Sequence, residues 1–168
     1  MNILIIDGYN AIYAIAPARE KLRVGLKQAR DYILSLCGEF VRSSGFIDDF
    51  RVVFDGDDRY RDIEKLIGRL SEKTVFSRKG EGDNKIIHMI RECSGKNKVI
   101  VASNDNYVRN NARAYGAKLI DPRDMLKVAK GDHISCDGCE KTFDRNLMAR
   151  ITKEYIKELN DHNNGKEG

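Results

Sequence analysis

The chain has 168 residues, a third of them charged, and a formal net charge of +4. This length suits one domain with a short appendage, and no apolar run approaches the roughly 18 residues that a membrane-spanning helix needs. Because the first residues lack a basic leader and run into an acid, we expect no export signal, a cytoplasmic location and no membrane partner. Residues 1–131 carry a net charge of +6 and residues 132–168 carry −2, so the larger part suits a polyanionic partner.

Five short runs rich in aliphatic and aromatic residues predict β-strands. The first, Ile3–Ile6, is too short for a helix and too apolar for a half-exposed strand, which favours a strand buried on both faces. The others are Phe50–Asp55, Thr74–Ser77, Lys98–Ala102 and Ala117–Ile120. Each is separated from the next by a segment long enough for a crossover.

Helical spacing of apolar residues fills those intervals. A long pattern from about Glu20 to Ser43 predicts one amphipathic helix after an irregular passage around Pro17. Further patterns predict helices over 63–70, 83–90, 108–115 and 123–130. The alternation predicts an α/β domain over 1–130 with a mainly parallel sheet and helices on both faces. Residues 131–168 form a predicted C-terminal extension with a turn, an amphipathic helix over 147–159 and a disordered end.

Four carboxylates follow the predicted strands, namely Asp7, Asp55, Asp83 and Asp105. Each one alone is ordinary turn or helix-capping chemistry. Parallel strands end at one edge of a sheet, however, so the fold would gather all four in the crevice where such sheets bind ligands. Like charges packed together repel unless a cation neutralises them, and a set of hard oxygens selects Mg²⁺ or Mn²⁺ over zinc.

Divalent ions at carboxylates activate water for phosphodiester cleavage, which implies a nucleic-acid substrate. Arg78 and Lys79 before Asp83, and Arg109 and Arg113 after Asp105, could bind backbone phosphates, although each could equally be solvated surface charge. Tyr9 and Tyr107 flank the carboxylates. Either ring could stack on a base or pack against the sheet.

The segments Asp7-Gly8-Tyr9-Asn10, Phe54-Asp55, Glu81-Gly82-Asp83-Asn84-Lys85-Ile86 and Val101-Ala102-Ser103-Asn104-Asp105 resemble the NYN domains, a branch of the PIN-like nucleases, and most closely the YacP-like group. The resemblance covers roughly residues 1–130. It implies a three-layer α/β/α sandwich with strand order 3-2-1-4-5 and a metal-dependent endoribonuclease that acts on mRNA at the ribosome.

The resemblance also implies roles for single residues. Asp7 and Asp83 match the principal metal ligands and Asp105 the third, while Asn10, Asp55 and Asn104 are expected to support them. Asn106 stands where some PIN-like proteins carry a further acid, so the number of metal ions is open.

Cys136 and Cys139 have the spacing of a zinc-knuckle half-site, since two intervening residues let both thiolates reach one ion. His133, His162 or a second chain could complete a structural zinc site. The alternative is a plain turn with two thiols. Cys37 and Cys93 lie in predicted helices, and we expect free thiols there.

Two other function classes remain open from the sequence. A phosphatase or receiver domain also places acids at strand ends, but Tyr9 stands where a phosphatase needs its second acid. An RNA- or ribosome-binding module with a degenerate nuclease site would keep the fold without the activity.

Overall fold

The computed structural model describes residues 1–56, 72–95 and 98–130. The helix predicted over 63–70 and the whole C-terminal extension, with Cys136 and Cys139, lie outside the described residues. The described part contains five strands and six helices.

The strands form one parallel sheet. They are β1 (Asn2–Asp7), β2 (Asp49–Asp55), β3 (Thr74–Ser77), β4 (Lys98–Ala102) and β5 (Lys118–Ile120). The sheet order is β3-β2-β1-β4-β5, and every neighbouring pair is parallel. The predicted parallel sheet and its order are therefore confirmed.

Strand β1 is central because its side chains are apolar on both faces. Leu4 and Ile6 pack into a core with helices on one side of the sheet, while Ile3 and Ile5 pack into a second core on the other side. All four are buried, and each contributes roughly 1.5–3 kcal/mol relative to an exposed position. The pairing of β1 with β2 and β4 follows from this two-sided burial.

Helices cover both faces and complete the three-layer sandwich. On one face lie α1 (Gly8–Ala14), α2 (Ala16–Val24), α3 (Leu26–Ser44) and α6 (Pro122–Ala129), and on the other lie α4 (Gly82–Ser94) and α5 (Asn106–Ala114). Helices α1, α5 and α6 each begin within a few residues of the carboxyl end of a strand. Their first turns therefore line one edge of the sheet.

The prediction of an irregular passage followed by one helix over 20–43 was wrong. The chain forms α1 directly after β1, then α2 with Pro17 in its first turn, and then α3 after a break at Gly25. Proline fits the first turn because the amide it lacks has no helical partner there. Helix α3 ends at Gly45, whose φ of 67° is left-handed.

Cys37 and Cys93 are free cysteines, as expected, with Cys37 buried in the core. Within the described ranges, no helix is long and apolar enough to cross a bilayer.

Candidate active site

The carboxyl ends of the strands bring acidic residues to one edge of the sheet. Asp7 and Asp55 end β1 and β2, Asp105 begins the turn into α5, and Asp83 lies in the first turn of α4. The charges of Asp83 and Asp105 each act on Asp7, and those of Asp105 and Asp55 act on Asp83. The structure thus gathers the four acids that the sequence singles out.

Asp7 lies at the centre of this group and is half-buried. Its Oδ1 accepts a hydrogen bond from the backbone N–H of Asn10 at 3.1 Å, which caps α1, and its Oδ2 accepts one from the Ser103 hydroxyl at 3.1 Å. Burial raises the pKa of Asp7, and the charges of Asp83 and Asp105 raise it further, while the two hydrogen bonds lower it. Capping of α1 therefore uses one oxygen of Asp7, and the other oxygen binds Ser103, the residue that follows β4.

Ser103 connects Asp7 to Asp105. Its side chain is fully buried, and its Oγ accepts the backbone N–H of Asp105 at 3.1 Å while it donates to Asp7. The Asp105 carboxylate in turn caps α5 by accepting the N–H groups of Tyr107 at 2.8 Å and Val108 at 3.0 Å. Ser103 was not among the residues predicted for the site, although a serine directly after a buried strand and two residues before an acid was a usable signal.

Asp55 organises the loop that precedes α4. Its carboxylate accepts the Ser77 hydroxyl at 3.1 Å and the Gly80 N–H at 2.8 and 3.0 Å. A Cβ at Gly82 would lie 2.9 Å from the Asp55 Cβ, so the start of α4 packs tightly on Asp55. Asp55 thereby sets where α4 begins, and with it the position of Asp83.

Asp83 does not cap α4. The cap position is Glu81, which makes no side-chain capping hydrogen bond, and Asp83 is the second residue of the helix. Its side chain is exposed and, in the described part of the chain, accepts no hydrogen bond. Burial raises the pKa of Asp83, followed by the charges of Asp105 and Asp55. Its two oxygens are therefore available to a ligand.

A chain of polar contacts continues from this group toward β5. Asn10 Oδ1 accepts the Asn104 N–H at 2.8 Å, and Asn104 Nδ2 donates to Asp121 Oδ1 at 3.3 Å. Asp121 holds Arg123 through Nε at 3.0 Å and Nη2 at 2.5 Å, and these hydrogen bonds lower the pKa of Asp121 to about 2. Asp121, which caps α6 and binds Arg123, thereby fixes Asn104 at this edge of the sheet.

The predicted phosphate-binding residues fall into two groups. Arg78 and Lys79 are exposed on the loop before α4. Arg109 instead donates Nη1 to the Ser103 carbonyl at 3.0 Å, and Arg113 donates Nη1 to Asn110 Oδ1 at 3.3 Å. Arg109 thus braces the loop that carries Ser103.

Of the two tyrosines beside the carboxylates, Tyr9 is packed against other side chains and Tyr107 is exposed. The Tyr9 ring packs edge-on against Phe54 at 5.5 Å between centroids, and its hydroxyl accepts a hydrogen bond from the buried Arg30. The Arg30 guanidinium also lies 5.5 Å from the Tyr9 ring centroid. Tyr107 is 54% exposed. Packing against the sheet is therefore the outcome for Tyr9.

The donor set suits a hard divalent cation. Among residues 1–56, 72–95 and 98–130, no three acidic, histidine or cysteine side chains stand close enough together to hold a metal ion in this arrangement. The clustered donors are carboxylates, which Mg²⁺ and Mn²⁺ prefer, and two of them have pKa values raised partly by their neighbours' charges. A cation would relieve that repulsion, and the Asp83 carboxylate has no hydrogen bond in the described chain to give up.

Comparison with known proteins gives a family and a fold. The profile described as the YacP-like NYN domain matches residues 4–164, and so continues beyond residue 130. The chain is similar to a crystal structure of a mutant of Rae1 (YacP) from Bacillus subtilis. The two sequences are 20% identical and the TM-score is 0.61, over 91% of this chain and 82% of that one. A second Rae1 (YacP) crystal structure is also 20% identical, with a TM-score of 0.54, over 96% of this chain and 86% of that one.

A search of curated proteins finds no match. At 20% identity the two crystal structures establish the shared fold. The profile match covers nearly the whole chain and confirms the resemblance found in the sequence. The chain therefore belongs to the YacP-like NYN family, and this membership implies a nuclease-like, RNA-related function.

Proposed function

We propose that the protein is a divalent-metal-dependent ribonuclease that cleaves RNA endonucleolytically at Asp7, Asp83 and Asp105. The observation that carries the proposal is that the fold gathers these acids from three distant parts of the chain, so closely that the charges of Asp83 and Asp105 raise the pKa of Asp7 and the charge of Asp105 raises that of Asp83. NYN and PIN-like nucleases generally use divalent metals, and the family suggests ribonuclease activity. Both points agree with an oxygen-only donor set.

Asp7, Asp83 and Asp105 would hold Mg²⁺ or Mn²⁺. Such an ion supplies an activated water and stabilises the negative charge that develops on the phosphate during cleavage. Asp83 brings two oxygens that accept no hydrogen bond within the described residues, while Asp7 and Asp105 each already accept hydrogen bonds that fix their orientation. Each carboxylate oxygen has more than one lone pair, so these hydrogen bonds leave capacity for a ligand.

In this proposal the supporting residues position the three acids. Asn10 and Asn104 tie the start of α1 to the loop after β4 at 2.8 Å, and Ser103 holds Asp7 and Asp105 at a fixed separation. Asp55 fixes the loop before Asp83. These contacts hold the side chains of Asp7 and Asp105, and the loop that precedes Asp83, at one edge of the sheet.

The substrate in this proposal is RNA. More specifically, we propose mRNA on the ribosome, as the family resemblance implies, and therefore a cytoplasmic location. Arg78 and Lys79 are exposed cations on the loop before Asp83, where they can bind backbone phosphates. Arg113 is a third exposed cation, on α5. Arg109 contributes mainly by bracing Ser103, as its hydrogen bond to the Ser103 carbonyl indicates.

An RNA cleavage assay tests the proposal. Purified protein is incubated with RNA labelled at either end, with Mg²⁺, Mn²⁺ or EDTA. Internal fragments that appear with metal and not with EDTA support a metal-dependent endonuclease. Intact RNA under all conditions, or cleavage that persists in EDTA, would contradict it.

A second candidate function is RNA binding by a degenerate nuclease site. It is favoured by the finding that Asp7 and Asp105 cap helices and that no three donors of the described chain are placed to hold an ion. RNA binding without metal-dependent cleavage would select it.

A structural zinc ion at Cys136 and Cys139 stays a prediction. Elemental analysis of wild type and of the Cys136→Ser, Cys139→Ser double variant tests it.

A further inference from the structure

Helix α5 presents an unusual outward surface directly beside the candidate active site. Val108 and Ala112 are buried against the sheet, and no residue of Asn106–Ala114 is acidic. The exposed side chains include Asn106, Tyr107, Asn110 and Arg113. This surface combines amides, an aromatic ring and a cation, and carries no charge that would repel a phosphate.

Tyr107 is the aromatic residue of this surface, and it lies two residues after Asp105. Its backbone N–H donates to Asp105 Oδ1 at 2.8 Å, so the residue is fixed one hydrogen bond from a proposed ligand. Its side chain is 54% exposed, and the described residues offer its ring no aromatic partner. Tyr9, on the other side of the cluster, is by contrast packed against Phe54. The Tyr107 ring therefore serves neither the core nor the helix cap.

We propose that Tyr107 forms a nucleotide subsite, in which its ring stacks on an unpaired RNA base next to the scissile phosphate. This inference rests on the proposed ribonuclease function and adds to it the residue that positions the strand. Base stacking on an aromatic ring is tolerant of sequence and needs one open ring face. A half-exposed tyrosine beside the reacting centre meets that need.

The rest of the α5 surface extends the subsite along the helix. Arg113 and Asn110 contact each other at 3.3 Å, which places a guanidinium and an amide on the same side. From Tyr107 to Arg113 the helix rises about 9 Å, so a strand whose base stacks on Tyr107 can reach Arg113 with a neighbouring phosphate. The strand would then run along α5, away from the acidic start of α4.

Metal-free binding tests the subsite independently of cleavage. Fluorescence anisotropy in EDTA, at one fixed salt concentration, measures the affinity for an unstructured RNA oligonucleotide labelled at one end. We expect Tyr107→Ala to weaken binding about tenfold, the typical effect of one lost base stack, while Tyr107→Phe stays close to wild type. Tyr13→Ala is the matched control, because Tyr13 is an exposed tyrosine, at 61%, near the end of α1.

Oligonucleotides with single abasic positions identify the stacked base. One abasic position should weaken wild-type binding about tenfold and have little effect on Tyr107→Ala, because the missing base and the alanine substitution each remove the same base–ring contact. A Tyr107→Ala affinity within twofold of the Tyr13→Ala affinity would overturn the subsite, as would equal abasic profiles for wild type and Tyr107→Ala. Undetectable RNA binding by wild type would also overturn it.

Kinetics separate this inference from the proposed function. If wild type cleaves RNA with Mn²⁺, Tyr107→Ala should raise KM about tenfold and leave kcat nearly unchanged, because a uniform binding contact has been removed. An unchanged KM would reject the subsite and leave the ribonuclease intact. If wild type does not cleave RNA but Tyr107→Ala still weakens metal-free binding, the nuclease proposal fails and the binding subsite stands.

Discussion

Replacing Ser103 with alanine tests how the carboxylates are held together. The Ser103 hydroxyl is fully buried, donates to Asp7 Oδ2 at 3.1 Å and accepts the Asp105 N–H at 3.1 Å. The change leaves one acceptor and one donor without their partner. Each unsatisfied buried group costs about 1–3 kcal/mol, and both hydrogen bonds here are only partly buried, so Ser103→Ala should lower the free energy of unfolding by about 2–4 kcal/mol.

Ser77→Ala is the matched control for this experiment. Ser77 is also nearly buried, and its hydroxyl lies within hydrogen-bond distance of two acceptors, Asp55 Oδ1 at 3.1 Å and the Arg78 carbonyl at 3.0 Å. Asp55 keeps the Gly80 N–H as a donor at 2.8 Å when the serine is removed. The loss should therefore be that of one ordinary hydrogen bond, about 0.5–1.5 kcal/mol.

Urea unfolding of both variants and wild type in EDTA measures the difference. The midpoints should fall in the order wild type, Ser77→Ala, Ser103→Ala, with similar slopes, since the surface exposed on unfolding is unchanged. A Ser103→Ala midpoint equal to or above that of Ser77→Ala would refute the linking role of Ser103. A thermal melt should agree, at about 2–4 °C per kcal/mol for a chain of this size.

Three further changes probe the electrostatics and packing of the same edge. Without metal, Asp83→Asn should raise the melting temperature because it removes repulsion with Asp105 and Asp55. The gain should shrink at high salt, and a lower melting temperature would contradict this reasoning. Asp121→Asn keeps a helix cap but loses the charge that binds Arg123. Because the folded pKa of Asp121 is about 2 and its ordinary value is 3.8, wild type should be the more stable above pH 4, and urea unfolding should show the difference vanish as the pH falls from 4 to 2. Gly8→Ala should lower the free energy of unfolding, measured with urea, by about 1–3 kcal/mol, because its Cβ would lie 2.3 Å from the Phe54 ring. Gly95→Ala, with open space around it, should change the free energy little.

The strands could be predicted from the sequence because their signal is local. A run such as Ile3–Ile6 is apolar on both faces, and only a central strand of a parallel sheet buries both. The strand order came from the family resemblance, since alternating strands and helices alone permit several orders. The helices at α1 and α2 were missed because each has only two or three turns, too few for a clear apolar period, and because Pro17 was interpreted as an irregular segment instead of a first-turn residue.

The side-chain contacts of the site could not be predicted in the same way. That Asp7 and Asp105 share the Ser103 hydroxyl depends on β1 and β4 being neighbours, which no local pattern encodes. Whether Asp83 caps α4 depends on the exact first residue of the helix, and sequence patterns place helix ends only to within a few residues. Arg109 looked like a phosphate ligand, and its hydrogen bond to the Ser103 carbonyl became visible only in the folded chain.

In the proposed nuclease site Asp83 would hold the metal ion, and its side chain does not cap α4. The most direct measurement pairs metal-dependent RNA cleavage with metal-free RNA affinity for wild type and Asp83→Asn at one salt concentration. Glu81→Gln is the control, because it removes a negative charge from the exposed cap position of the same helix, two residues away.

We expect Asp83→Asn to reduce cleavage by about a hundredfold or more, as for the loss of one essential electrostatic contact at a reaction centre. Its metal-free affinity for RNA should be unchanged or tighter, because one charge that repels phosphates has gone. Glu81→Gln should cleave at nearly the wild-type rate. Cleavage by Asp83→Asn at the Glu81→Gln rate, with both proteins folded, would contradict the account.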